Sequence, residues 1–340
     1  MKKRLLSLTL ASIMLVGSLA GCGGGTAPAA SDGNTAGGAN TPGGKTATWT
    51  VTCPWAPSGV AAMVSQKAAA LSTTYSDNII LVAEAVAGDA ATVNTWITDT
   101  QANDPKLVFV GEGLLSITSI LDPAKLQFTQ DDFVFVENLY SSIFVLSADA
   151  KLNINSMDDL KAYVESGEQV SVAVNGATSS EAFLAAALFG SMGAGEHLKL
   201  VPYTSAAEAA QAVAKGETNF AVSHQSQILE TYEQGGVSIV CAFDEKAIEN
   251  GPFSGVEGVG QYGYPYFRNR CFIMARAGTD AATVANLKDL YHQILAADEV
   301  KTWLQDTMLL EVDTMSTEDV NAHVENVKGI VNEYKDIVAG

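Results

Sequence analysis

From Thr48 onward the chain switches repeatedly between short apolar, β-branched runs and segments whose apolar residues recur at three- and four-residue spacing. The runs predict strands at 50–53, 79–83, 107–110, 133–139, 143–146, 170–174, 198–201, 220–222, 237–242 and 271–275. Between them, helices are expected to begin near Ala61, Ala90, Ser156, Thr178, Ser205, Ser226 and Ala281. This alternation predicts an α/β protein with mostly parallel sheets flanked by helices, because parallel strands need a crossover and a helix is its usual form. The clearest helix starts at Ser316, which can cap it, and carries Val320, Val324, Val327, Val331, Tyr334 and Val338 on one stripe.

The first residues follow another pattern. "MKKR" is a basic region, "LLSLTLASIMLVGSLA" an apolar one, and "LAGC" sets Cys22 after small residues, as in a secretory leader (1–21) that ends at a lipid-modified cysteine. The apolar region is shorter than the ~20 residues a membrane span needs. Residues 22–45 are rich in Gly, Ala, Thr and Pro and lack large apolar side chains, so a flexible tether is expected. The folded part is then expected outside the cytoplasm, held to the membrane through Cys22.

The 340 residues suggest about two domains, and a formal charge of −19 disfavours nucleic acid and anionic lipid surfaces as partners. Losing Lys2, Lys3 and Arg4 with the leader makes the mature chain more acidic still. Cys53, Cys241 and Cys271 show no CxxC spacing and sit in apolar runs; at most one pair could form, and buried free thiols are the default. "GVGQYG" (258–263) matches GxGxxG but is not flanked by a strand and a helix, so turn glycines are expected. His197, His224, His292 and His323 lack HExxH spacing and there is no GxSxG elbow, so neither a cofactor, a metal nor an enzyme is expected.

Candidate chemistry lies in two loops. "CPWAPSGVAAMVSQ" joins the 50–53 strand to a helix near Ala61 with no charge before Lys67, and "VNGATSSEAF" joins the 170–174 strand to a helix through Thr178, Ser179 and Ser180. A helix start offers unpaired N–H groups and a partial positive charge, so each loop can hold a carboxylate without an arginine. Either loop alone also fits an ordinary strand-to-helix turn, with Trp55 as a core aromatic. Two such starts facing one crevice, beyond the carboxyl ends of their strands, would clamp a small organic acid.

The chain resembles the extracytoplasmic receptors of tripartite tricarboxylate transporters, the Bug proteins. "PWAPSGVAA" is similar to their first ligand loop, "VAEAVAGDAA" and "NDPKLVFVG" to their second and third strand segments, "VPYTSAAEAAQAVAKGETNFAV" to a Val-Pro-Tyr run, helix and strand, and "RCFIMARAGT" to a late strand. The resemblance implies a two-lobed type II periplasmic-binding-protein fold, with 46–142 and 251–340 as lobe 1 and 143–250 as lobe 2. It also implies a monomer that delivers its acid to a permease of one large and one small subunit. The ligand residues it implies are Trp55, Pro57, Ser58, Gly59, Val60 and Ala61 from lobe 1. From lobe 2 it implies Asn175, Ala177, Thr178, Ser179, Ser180, Tyr203, Thr204, Ser223 and Gln225. Arg270 could hold a second carboxylate or simply pair with an acid at the boundary. The sequence departs from the family at Ala62 and Asn219, where aspartates are usual, at Ser58 in place of a glycine, and at Asp89 in place of a small residue that could repel an anion. A second function class, a ligand sensor for a membrane kinase, fits the same features.

Overall fold

The computed structural model describes residues 46–339; the expected leader, lipidated Cys22 and tether lie outside them. The chain begins with β1 (Ala47–Cys53), α1 (Val60–Tyr75), β2 (Ile79–Ala85), α2 (Ala90–Asp99) and β3 (Lys106–Gly111). A π-helical turn (Leu114–Thr118) runs into the short α3 (Ser119–Leu121) before β4 (Phe133–Ser142) and β5 (Phe144–Asp149). Then come α4 (Met157–Glu165), β6 (Val170–Asn175), α5 (Ser180–Ser191), β7 (Leu198–Tyr203), α6 (Ala206–Lys215), β8 (Phe220–His224), α7 (Gln225–Glu233) and β9 (Val237–Ala242). The chain closes with β10 (Asn269–Arg276), α8 (Ala281–Ala296), α9 (Asp298–Thr302), β11 (Glu311–Val312) and α10 (Thr317–Ala339).

The strands form two sheets, ordered β11-β4-β10-β3-β1-β2 and β7-β6-β8-β5-β9. Both are mixed, not mostly parallel: β1 pairs in parallel with β2 and β3, and β6 with β7 and β8, while the other pairings are antiparallel. The reason is the path between sheets. Only Ile143 separates β4 from β5, so one nearly continuous extended stretch passes from the first sheet to the second, and β10 returns to lie antiparallel between β3 and β4. The parallel units point their carboxyl ends, and the loops that follow, toward this junction.

Sequence pattern decides what each helix touches. Glu181 through Phe189 are all buried in α5, so this helix is covered on every side. Its outer cover is α10, whose two halves pack differently. Val320 and Val324 join Phe133, Phe135 and Phe272 over the first sheet, whereas Val327, Ile330, Val331 and Tyr334 join the core around α5. Burying each of these four side chains is worth about 1.5–3 kcal/mol, so α10 is a strap across both sheets. Its close approach to α5 depends on Gly190, where an added Cβ would stand 3.0 Å from Ile337 and Tyr334 atoms. Ser316 caps α10, its Oγ accepting from the Asp319 N–H at 3.1 Å.

Cys53, Cys241 and Cys271 are free and buried. Residues 259–262 of the GxGxxG match form a 3-10 turn, and at Gly258 an added Cβ would collide with the Lys246 carbonyl oxygen at 2.3 Å. Turn geometry and close backbone approach account for that glycine without a nucleotide. No helix among the described residues is long and apolar enough to cross a membrane.

Candidate ligand-binding site

After β1, residues 54–59 turn sharply, and the Gly59 N–H donates to the Ala56 carbonyl at 2.8 Å. Gly59 is the N-cap of α1, has no side chain to offer its first-turn N–H groups, and is followed by no acidic residue in that turn. The start of this 16-residue helix is thus electropositive and unanswered by a neighbouring side chain. Pro57 and Ser58 are exposed, Gly59 and Val60 half-buried, and Ala61 is buried against the first core. The Trp55 ring lies on Gly111 at the end of β3, where an added Cβ would meet the ring at 3.1 Å. Glycine at 111 therefore makes the flat seat for the indole.

The loop after β2 is stitched to this one. The Pro54 carbonyl accepts from the N–H groups of Gly88 and Asp89 at 3.2 and 2.9 Å. Asp89 sits at φ 45°, ψ −117°, precedes α2, and does not cap it with its side chain. Its carboxyl group stands by the Trp55 indole; desolvation by the surrounding walls raises its pKa, and the indole N–H only partly offsets this.

The loop after β6 differs. Asn175, Ala177 and Thr178 are exposed, and the Gly176 N–H donates to Tyr203 O at 3.1 Å, which ties the ends of β6 and β7 together. Ser179 caps α5, accepting from the Ala182 N–H at 3.2 Å. Glu181 follows in the first turn, buried to 5 % exposure, with its pKa pushed up to about 7, chiefly by desolvation. The start of α1 is thus bare, whereas the start of α5 carries its own Ser179 cap and Glu181 in its first turn. Thr204 is drawn into a local bond, its Oγ1 donating to Glu208 at 2.6 Å.

Glu112 joins the two regions. It follows Gly111, is 1 % exposed, and lies 3.5 Å from Ser180 Oγ at the start of α5. Its other oxygen meets His323 Nε2 of α10 at 2.6 Å. Arg270 can only donate, so its 2.9 Å contact makes His323 Nδ1 the acceptor and places the imidazole proton on Nε2, facing Glu112. Arg270 Nε also donates to Asp313 at 2.7 Å. Arg270 is thus paired with an acid, as one of its two expected roles requires. Arg270 also lines a cavity of about 800 Å³ with Arg268, Tyr264, Tyr266, His323 and Asn326. Gln225 lies elsewhere, in a cavity of about 480 Å³ beside Leu310, Glu311 and Val312. Ser223 is fully buried near the end of β8, and its hydroxyl has no partner among the described residues.

The structure therefore gathers Trp55, Gly59, Asp89, Gly111, Glu112 and Ser180 along one seam at the strand ends. Sequence reasoning named neither Glu112 nor His323 as site residues. The available signals were a lone acid between two apolar runs in "VFVGEGLLS" and a histidine three residues after Val320 on the α10 stripe.

The sequence profile described as tripartite tricarboxylate transporter family receptor matches residues 63–337. The chain belongs to this family. The receptor is similar to a TctC solute-binding protein from Polaromonas solved without ligand, at TM-score 0.71 and 16% identity over 86% of this chain and 100% of that one. It is also similar to an R. palustris protein solved with adipate, at TM-score 0.68 and 18% identity over 88% and 99% of the two chains. MatC from Rhodopseudomonas palustris, with bound malate, aligns at TM-score 0.63 and 20% identity over 86% and 98%. At these identities the likeness establishes the periplasmic-binding-protein-like fold. No curated protein matches the chain. The family is one of extracytoplasmic transport receptors, not of enzymes.

Proposed function

We propose that the receptor captures a small organic carboxylate between two lobes, 46–142 with 251–340 and 143–250, and passes it to a membrane permease of one large and one small subunit. A lipid on Cys22 and the tether keep it at the membrane surface. The observation that carries this reading is the start of α1, a helix terminus with no capping side chain and no acid in its first turn, opening beside Trp55. Two neighbours of the same fold, solved with adipate and malate, support the ligand class. The tied loops after β6 and β7 form the opposing wall, and hinge closure about the β4–β5 junction would bring the walls together.

A melting screen of mono-, di- and tricarboxylates, neutral sugars and amino acids tests this. A true ligand at a hundred times its Kd stabilises by about 2.7 kcal/mol, an easily read shift. A shift with acids is the expected result; shifts confined to uncharged compounds would end the carboxylate reading.

A further inference from the structure

The face of the first sheet that lies under α2 changes character partway across. Strand alternation sends Val51 and Cys53 of β1 into the core beneath α1, and Thr50 and Thr52 to the opposite face. On that face β3 offers Val108 and Val110, which pack with Val93, Trp96 and Ile97, whereas β1 offers threonines. A cavity of about 530 Å³ occupies the hydroxyl-lined part, between β1, α2 and residues 86–88, and its size is that of a small-molecule site. Two groups in its wall are polar, buried and without a hydrogen-bond partner among the described residues. They are Trp96 Nε1, on a residue 5 % exposed, and Thr100 Oγ1, on one 1 % exposed. Buried polar groups are paired in the great majority of cases, so two unpaired groups in one wall point to a partner from outside the chain.

The rest of the lining decides what that partner is. Glu84 and Asp99 set two carboxylates against the single ammonium of Lys106, so an anion is disfavoured here. A plain hydrocarbon would leave the Trp96 N–H and the Thr100 hydroxyl unpaired. Indole and ammonium groups only donate, carboxylates only accept, and threonine hydroxyls do both; the ligand group that answers all of them is a hydroxyl, itself donor and acceptor. The walls are already held in place: Lys106 Nζ donates to the Asp99 carbonyl, Thr92 Oγ1 to that of Val86 and Thr95 Oγ1 to that of Ala91, each at 3.0 Å. We propose that this cavity is a second ligand site, for a small neutral polyhydroxylated molecule, a sugar or polyol, held by Trp96 Nε1 and the Thr100 hydroxyl. Trp55 and α1 pack on the opposite face of β1, so the site is separate from the carboxylate site and does not rest on that reading.

The test is nuclear magnetic resonance of the full-length protein, isotope-labelled at its four tryptophans, since each indole N–H gives its own signal. Trp96→Phe and Trp55→Phe identify the two that matter. Glycerol, xylose, glucose and inositol are the probes, and glutarate is titrated separately. With at least one of the polyols, a saturable downfield movement of the Trp96 signal is expected while the Trp55 signal stays in place. Thr100→Val keeps the side-chain shape and removes a hydroxyl that the protein leaves unpaired, so it should melt like the wild type yet bind that probe about two- to ten-fold more weakly. The proposal is overturned if no polyol moves the Trp96 signal, if a polyol moves Trp55 and not Trp96, if glutarate alone moves Trp96, or if Thr100→Val keeps full affinity. The carboxylate reading is judged separately, by the Trp55 signal with the acids of the melting screen, so either can fail without the other.

Discussion

Glu112 and His323 meet at 2.6 Å across the seam between β3 and the α10 strap, and both are buried. The carboxylate also faces Ser180 at the start of α5, so this contact fixes where the strap, the first sheet and α5 come together. Replacing His323 by alanine leaves a buried carboxylate without its donor, at a cost of about 3 kcal/mol. Glu112→Gln keeps an acceptor for the imidazole N–H and should cost clearly less. Urea unfolding of the two variants checks the order; equal losses would mean that the charge on Glu112 matters as much as its hydrogen bond.

The bare start of α1 predicts opposite effects on stability and binding. Gly59→Asp supplies the missing cap, and the Ala56 carbonyl oxygen, 3.1 Å from the added Cβ, must shift slightly. The ligand-free protein should gain a few tenths of a kcal/mol, because aspartate caps better than glycine. Carboxylate affinity should fall, since the protein now occupies its own N–H groups. Melting of the free variant and a titration read the two signs separately.

Glu181 and His224 predict compensating pH effects. The folded-state pKa of Glu181 is raised to about 7 from 4.5, so the folded protein holds a proton that the unfolded chain has lost, and stability falls as pH rises through that window. The full cost, about 3 kcal/mol, is present above pH 7. Burial lowers His224 from 6.5 to about 4. Asn269 Nδ2 donates to His224 Nε2 at 3.3 Å, and the ring's Nδ1–H lies 2.6 Å from Ser142 Oγ, so the neutral ring joins both sheets. Stability therefore falls as pH drops from 6.5 toward 4. In the wild type the two slopes oppose each other. Glu181→Gln should expose the His224 slope, stability rising with pH across that range, and should be more stable than the wild type at pH 8. Melting curves from pH 4 to 8 check it; a variant with the wild-type profile would remove Glu181 from the account.

Arg268 predicts a looser junction when shortened. It binds Asp244 with two nitrogens, at 3.0 and 2.6 Å, and also reaches Glu311 and, at 3.2 Å, Ser141. Lysine cannot reproduce that fork. Arg268→Lys should raise amide exchange in 243–268 and near β11 while leaving exchange in α5 unchanged.

Much of this architecture is legible in the sequence because period and burial agree. The run at Val170–Asn175 and the capped helix from Ser205 need no tertiary information. β11 escapes because two residues carry no period, and the π-helical turn at Leu114–Thr118 because an all-apolar stretch has no distinguishable face. The stripe on α10 announces burial but not against what, so its span over both sheets appears only in three dimensions. The first loop is visible as an uncharged turn into a helix. Arg270 could not be assigned because its partners are 43 and 53 residues away, and Asp89 stood out only as a departure whose approach to Trp55 the fold supplies.

A structure of the receptor with a bound acid from the melting screen is the most direct measurement. A ligand carboxylate within about 2.7–3.2 Å of the backbone nitrogens at the start of α1, beside Trp55, is the predicted result. An acid seated instead in the cavity lined by Arg268 and Arg270, with those N–H groups untouched, would contradict the account.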